Sequence, residues 1–358
     1  MTATTSPPTP TADDSVISFQ TVASGISGRV VRLGPAVDDI LSSHDYPEPV
    51  SKILAQALAL TAMLGAQFKF DGKLILQTKS DGPLGFIVVN YQTAGTIRGY
   101  ASFNAERLQA LEDAGAATEA AILGFGHLAM TIDPGGDMER YQGIVALDNC
   151  TLAQAALEYF RQSEQLPTFI RLSVARHFAH GVWRWRAGGL MVQHLTAQGG
   201  HTTPEPDDNP DWVAEPDRSR SEPYANNEDV NQSRKQRPGT RAIDELALSD
   251  DERVLGNDDE NWRRVEILAS TVEDHELLDP TLTPERLLYR LFHEEGVAVS
   301  AEQLIAMRCG CSRDAVGNFL KSFGAAQLAD MRDPDGAVTV TCEFCTTPYR
   351  FTDEELYQ

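Results

Sequence analysis

Four of the chain's five cysteines stand in its last 50 residues, as Cys309-Gly-Cys311 and Cys342-Glu-Phe-Cys345 with 30 residues between the pairs. Two close pairs that a fold brings together make a tetrahedral four-thiolate site, and that donor set suits Zn²⁺. Gly310 lets the backbone turn tightly around such an ion. Four thiolates leave no open position for a catalytic water, so a site of this kind is not hydrolytic. A unit of ~60 residues has a marginal core without a staple. Structural zinc contributes on the order of 10–16 kcal/mol, and that energy is folding energy. The spacing alone leaves two readings open: a purely structural zinc ribbon, or a redox-sensitive centre. The uncommon C-x-C pair, which sets one thiol beside another, and the small metal-dependent module favour the second. Oxidising the thiolates removes the ligands and with them what holds the module together.

The rest of the chain is long enough for two or three domains. The first folded block spans residues 17–196. Alternating apolar residues predict strands over 28–33 and 73–77, and a helical repeat through Val50, Leu54, Ala57, Leu58 and Met63 predicts a helix over 49–67. Further strands are expected over 85–90, 128–132 and 142–147, with turns at Ser80-Asp-Gly-Pro83 and Asp133-Pro-Gly-Gly136 and a helix over 152–162. The mixed order of strands and helices makes the fold class α+β. A tail over 1–16, beginning MTATTSPPTPTADD, is expected to be disordered. It has neither a basic start nor an apolar stretch, so it is not read as a secretory signal.

Composition changes sharply at His201. Residues 201–260 hold 17 Asp and Glu against 7 Lys and Arg, and only eight residues that are Val, Ile, Leu or Trp. Such a segment cannot offset its ordering entropy by burial, so 197–256 is read as an acidic disordered insert. A helical linker follows over 257–296. Trp262, Val265, Leu268, Ala269 and Val272 fall on one face of its first helix. Thr283 and Pro284 open a second, with Leu287, Leu288, Leu291 and Phe292 on its apolar face. Ser300 and Gln303 match a capping box and predict a third, short helix. The last unit, 297–358, is read as a zinc-binding redox-switch domain. In it Ser312 caps a helix with Val316, Phe319, Leu320 and Phe323 on its buried face and Gly324 as its stop, and a strand over 338–342 leads into the second cysteine pair.

The formal net charge is −22. Phosphate contacts need clustered Lys and Arg, so neither nucleic acid nor an anionic membrane surface is an expected partner. The most apolar run, 57–66, is far short of the ~20 residues of a spanning helix, and the expected compartment is the cytoplasm. Cys150 reads as an ordinary core cysteine. His127, His177, His180 and His194 lack metal spacing, Asp133-Pro-Gly-Gly136 lacks the glycine-lysine pattern of a phosphate loop, and no catalytic constellation is found. The chain is therefore not expected to be an enzyme.

Cys309-Gly-Cys-Ser-Arg313, the 30-residue gap, and Cys342-Glu-Phe-Cys345 with Tyr349 and Phe351 resemble the zinc centre of the thirty-three-kilodalton heat-shock chaperonins. The resemblance continues in Phe68-Lys-Phe-Asp-Gly72, Leu76-Gln77, Ser80-Asp-Gly-Pro83, Thr131-Ile-Asp133 and Tyr141-Gln-Gly-Ile-Val145. It extends through Tyr159-Phe160, Ser163-Glu-Gln-Leu-Pro-Thr168, Arg186-Ala-Gly-Gly-Leu-Met191 with Gln193, and 287–295. It implies a redox-regulated holdase with a chaperone core over 17–196. By the same resemblance, one zinc per chain would be bound by Cys309, Cys311, Cys342 and Cys345 in the reduced state. Oxidation would pair Cys309 with Cys311 and Cys342 with Cys345 and release zinc. The switch and linker would then unfold, unfolding client proteins would be held without ATP, and the oxidised form would tend to dimerise. The insert is longer than the resemblance implies, and Met307 and Arg308 are less apolar. The competing functions are a zinc-ribbon adaptor in transcription or translation and a thiol oxidoreductase. The adaptor is disfavoured by charge. The oxidoreductase is disfavoured because its C-x-x-C belongs at a helix N-terminus, whereas Cys342 follows a strand.

Overall fold

The computed structural model describes residues 13–68, 70–136, 138–194 and 258–357. The acidic insert and most of the expected N-terminal tail lie outside the described residues. The end of that tail is ordered: Asp14 accepts hydrogen bonds from the backbone N–H groups of Gly34 and Ala36, and Ser15 and Val16 open the first strand.

Along the chain come β1 (Ser15–Thr21), β2 (Ser27–Leu33), α1 (Pro35–Ser42), α2 (Glu48–Gly65), β3 (Lys73–Ser80), β4 (Phe86–Gln92) and β5 (Thr96–Ser102). They are followed by α3 (Ala105–Asp113), α4 (Glu119–Leu123), β6 (Phe125–Asp133), β7 (Tyr141–Asp148) and α5 (Leu152–Tyr159), which runs on as a π-turn over Phe160–Glu164. The block closes with the hairpin β8 (Thr168–Ala179) and β9 (Val182–Gln193). The strands form two sheets. One has the order β1-β2-β9-β8 and the other β5-β4-β3-β6-β7, with all of these neighbours antiparallel.

Helix α2 lies between the sheets, touching β2, β8 and β9 of one and β3, β4 and β5 of the other. Fourteen of its 18 residues are buried, and only its N-terminal turns, with the exposed Glu48–Lys52 ion pair, reach solvent, so most of it behaves as an interior helix. Alanines at 55, 57, 59 and 62 let strands approach closely, while Leu54, Leu58, Leu60 and Met63 fill the space between them. Full burial of each of these large side chains is worth about 1.5–3 kcal/mol.

The linker is helical: α6 (Asp258–Ser270), α7 (Asp274–Leu278) and α8 (Pro284–Phe292). Val265, Ala269, Val272, Leu277, Leu287, Leu288, Leu291 and Phe292 pack on Phe19, Ile26, Val30, Leu190 and Val192 of the first sheet. The Phe19 and Phe292 rings stack at 5.5 Å. Arginines rim this contact. Arg32 donates to the carbonyls of Leu282 and Glu276, Arg186 donates to the carbonyl of Leu278 at 2.8 Å, and Arg171 and Ser173 share Asp274 Oδ1.

The short helix expected from Ser300 and Gln303 does not form. Residues there make β10 (Val297–Val299), β11 (Gln303–Leu304) and β12 (Ala306–Met307). The first two add to β1 and the third pairs in parallel with β5. Open sheet edges outcompete a local cap: Ser300 N–H donates to Ser18, Ile305 N–H to Asp14 and Arg308 N–H to Ile97. Gln303, expected to close a capping box, instead donates to the Tyr91 hydroxyl at 2.6 Å. Residues 297–307, grouped by sequence with the last unit, thus tie into both sheets.

The C-terminal module contains α9 (Arg313–Lys321), α10 (Ala325–Asp330), the hairpin β13 (Val338–Thr341) and β14 (Pro348–Phe351), and α11 (Asp353–Tyr357). Leu320, Leu328, Val338, Phe351 and Leu356 form its core. Phe319, expected on the buried face of α9, is 61% exposed. Gly324 lies past the Ser322 C-cap and serves as the N-cap of α10. The architecture is α+β, with a small cysteine-bearing module at the C-terminal end.

Candidate metal centre

Two short segments position the four cysteines. Cys309 and Cys311 lie between β12 and α9. Upstream, the Arg308 N–H is fixed to Ile97; downstream, the Ser312 hydroxyl caps α9 by accepting from the Ala315 N–H at 3.2 Å. Cys342 and Cys345 lie in the connection of the β13–β14 hairpin. There the Cys342 N–H donates to Thr347 O at 3.0 Å and the Thr346 N–H donates to Cys342 O at 2.8 Å. Thr346 takes a left-handed conformation, φ 55°, to close this turn. The result is a tight loop that carries both thiols.

The four sulfurs lie within 4.8 Å of one another, and the Cys309–Cys342 and Cys311–Cys345 separations are 3.6 and 3.3 Å. Tetrahedral zinc with bonds of about 2.3 Å would set neighbouring sulfurs about 3.8 Å apart. The donor set and the spacing therefore fit a metal ion such as zinc. No described histidine or carboxylate joins the cluster. Cys150 is half-buried against the main core and lies outside the cluster. His127, His177 and His180 are exposed, and His194 is buried with its ring stacked on Trp262 at 6.0 Å.

The thiols are electrostatically unequal. The Tyr349 hydroxyl donates to Cys311 Sγ at 3.2 Å and favours its thiolate. Burial and the three neighbouring thiols outweigh that bond and push Cys311 up to about 12. At Cys345 burial opposes ionisation, but hydrogen bonds from the Thr347 hydroxyl and N–H, and from Cys311 and Cys309, bring it down to about 6. Burial also raises Cys342. Four crowded sulfurs cannot all carry charge unless a cation sits among them, so this cluster holds four thiolates only around a metal.

The core reaches the cluster through a contact that no spacing rule pointed to. Arg98 on β5 stacks over the Phe344 ring, 4.1 Å from its centroid, and its Nη1 lies 3.8 Å from Cys309 Sγ. The Asn90 side-chain amide lies beside the Arg98 guanidinium, directly across the β4–β5 pair. Tyr100, two residues on along β5, hydrogen-bonds Glu343, and His44 lies against the backbone of Glu343 and Phe344. The two residues inside the C-x-x-C loop thus dock on the second sheet.

A two-sheet body around a buried helix, a helical linker on one sheet, and a four-cysteine module on the other define an α+β protein whose C-terminal end is compatible with metal binding. The family described as Hsp33 protein matches residues 14–352. A 33 kDa chaperonin of Caulobacter vibrioides is 37% identical over 348 residues, covering 96% of both chains. One from Ectopseudomonas mendocina is 32% identical over 334 residues, covering 93% of this chain and 90% of its own. The crystal structure of the 33 kDa chaperonin of Thermotoga maritima superposes with a TM-score of 0.66 at 21% identity, covering 96% of this chain and 97% of that one. The chain belongs to the Hsp33 family of chaperones, and the last comparison supports the fold. Among the described residues no helix is long and apolar enough to cross a membrane.

Proposed function

We propose that this protein is an ATP-independent holdase that is quiescent while its four C-terminal thiols hold zinc and active once they are oxidised. The observation that carries the proposal is the four-sulfur cluster, within 4.8 Å, in a module whose described core cluster has five buried side chains. Cys309, Cys311, Cys342 and Cys345 are the ligands, one zinc per chain. Bound there, zinc supplies the positive charge that keeps four crowded thiolates ionised and cross-links the two segments.

Peroxide is the oxidant class. A thiolate attacks the peroxide oxygen, gives a sulfenic acid and releases water after proton uptake. A second thiolate then displaces hydroxide from the sulfenic sulfur and forms the disulfide, so each bond consumes one peroxide. The proposed pairs are Cys309–Cys311 and Cys342–Cys345. The 3.6 and 3.3 Å contacts run between the motifs instead. Those contacts depend on the two segments staying together, whereas partners within a motif remain two or three residues apart however far the segments separate.

The linker's apolar face is then free to leave the first sheet, and unfolding clients take its place. The oxidised form dimerises, and the reduced form resides in the reducing cytoplasm. A client-aggregation assay tests the reading. Peroxide-treated protein should suppress aggregation at stoichiometric ratios and reduced protein should not. Equal suppression by both forms would remove the switch.

A further inference from the structure

On the face of the first sheet away from the linker, a charged side chain is buried without a counter-charge. Arg29 of β2 is 2% exposed. Among the described residues its one side-chain partner is the Gln193 amide oxygen, at 3.3 Å from Nη1, and its Nε has none. The Ser27 hydroxyl, two residues earlier on the same face, is also buried with no partner. Burial lowers the Arg29 guanidinium to about 10, so it remains protonated at neutral pH, and no carboxylate among the described residues contributes to holding its charge. An unpaired charge in such a place is costly, and folded chains rarely retain one without a partner.

The space beside it has the composition of a site. Strand register sets Ser18 opposite Arg29, Gln20 opposite Ser27 and Ala298 opposite Gln20, so these side chains share one face. A pocket of about 160 Å³ lies there; Ser18, Gln20, Ser27, Arg29, Ala298 and Ser300 line it together with Phe19, Gly28 and Val299. Arg29 and Ser27 are its buried floor, and Ala298 and Ser300, both exposed, stand at its rim. It offers one fixed positive charge, two serine hydroxyls and an amide beside a buried serine, with room for a group of a few heavy atoms. A guanidinium with a free Nε edge matches the two oxygens of a carboxylate or phosphate.

We propose that this pocket is a binding site for a small oxyanion, a phosphate or carboxylate group, which pairs with Arg29 and accepts from Ser27. The site is separate from the four-cysteine cluster and does not depend on the redox reading. Reduced, full-length protein should be titrated with inorganic phosphate and with acetate. Ionic strength is held constant with chloride, and binding is followed by amide chemical shifts and by the thermal midpoint. The expected result is a saturable response to at least one of the two, with shifts centred on residues 18–29 and 298–300. Arg29→Met should abolish it, and Ser27→Ala, which leaves the buried charge in place, should weaken it at least tenfold. Should Arg29→Met fail to fold, the Ser27→Ala titration alone decides. The proposal is overturned if neither anion gives more than the chloride control, or if the affinity is unchanged in the variants.

Discussion

Cys311 and Cys345, with sulfurs 3.3 Å apart, lean in opposite directions, one toward the thiol and the other toward the thiolate. Crowding four such groups is tolerable only with a cation between them, which ties each thiol's state to metal occupancy. Cys309→Ser is expected to lose most of the zinc and Cys150→Ser to keep one equivalent, measured by metal analysis of the reduced protein. Full retention in Cys309→Ser would contradict a four-ligand site. The Tyr349 hydroxyl supports Cys311 from outside the cluster, and removing outer partners of metal ligands costs about 10–100-fold in affinity. Tyr349→Phe should therefore lose zinc to a competing chelator about 10–100-fold more readily, with unchanged affinity as the contrary result. The cysteines could be read from the sequence because C-x-C and C-x-x-C spacing carries its own geometry. Arg98 could not. It is 211 residues from Cys309, and nothing local to β5 indicates which loop folds onto it.

At the scale of elements, the linker is held by one apolar face and a rim of polar contacts. Phe292 is fully buried and stacks on Phe19. Phe292→Ala should cost the linker about 3–5 kcal/mol. Hydrogen exchange over 258–299 is then expected to rise in the reduced protein while β3–β7 stay protected, with some client holding before oxidation. Unchanged exchange would show that the linker does not rest on this contact. Glu295 is 4% exposed and pairs with Arg264. Burial opposes its charge, but the Arg264 guanidinium together with a hydrogen bond from Ser24 more than offsets this and holds the carboxyl below the usual glutamate range. Its stabilisation is complete above the unfolded value of about 4.3 and is lost as pH falls through the lower folded value. Because Arg264 is 44% exposed, solvent screening keeps the effect of Glu295→Gln to about 1 kcal/mol. That deficit should be present at pH 7 and vanish in acid, as read by denaturant melts. A pH-independent deficit would mean that the pair contributes no charge effect. Elements with strong periodicity, such as α6, α8 and β7, were readable in advance. Strand β9 was not, because most of its residues are buried on both faces and no alternation survives. Strand β5 turns Ile97, Gly99 and Ala101 inward, too small a set to register as an apolar face. The helix expected from Ser300 and Gln303 failed because the open edges of β1 and β5 offered more hydrogen bonds than one capped turn.

Across the whole molecule, the chain returns from the linker to touch both sheets before it reaches the cysteines, so metal centre, linker and core are mechanically connected. The segment between them, 197–256, is rich in Asp and Pro and carries no cysteine. Lengthening a loop costs a fold only slowly. Replacing 203–253 with a short Gly/Ser linker should leave zinc content and redox-dependent holding unchanged, with more self-association of the oxidised form at low salt, since like charge opposes it. Loss of zinc, or constitutive activity of the reduced protein, would make the segment a structural contact. The central claim is that metal, thiol state and client binding form one equilibrium. One peroxide titration tests it, following zinc release, free thiols and suppression of client aggregation in the same samples. The account predicts that four thiols disappear, one zinc is released and holding appears together along a single curve. Full holding with zinc still bound and the four thiols still reduced would contradict it.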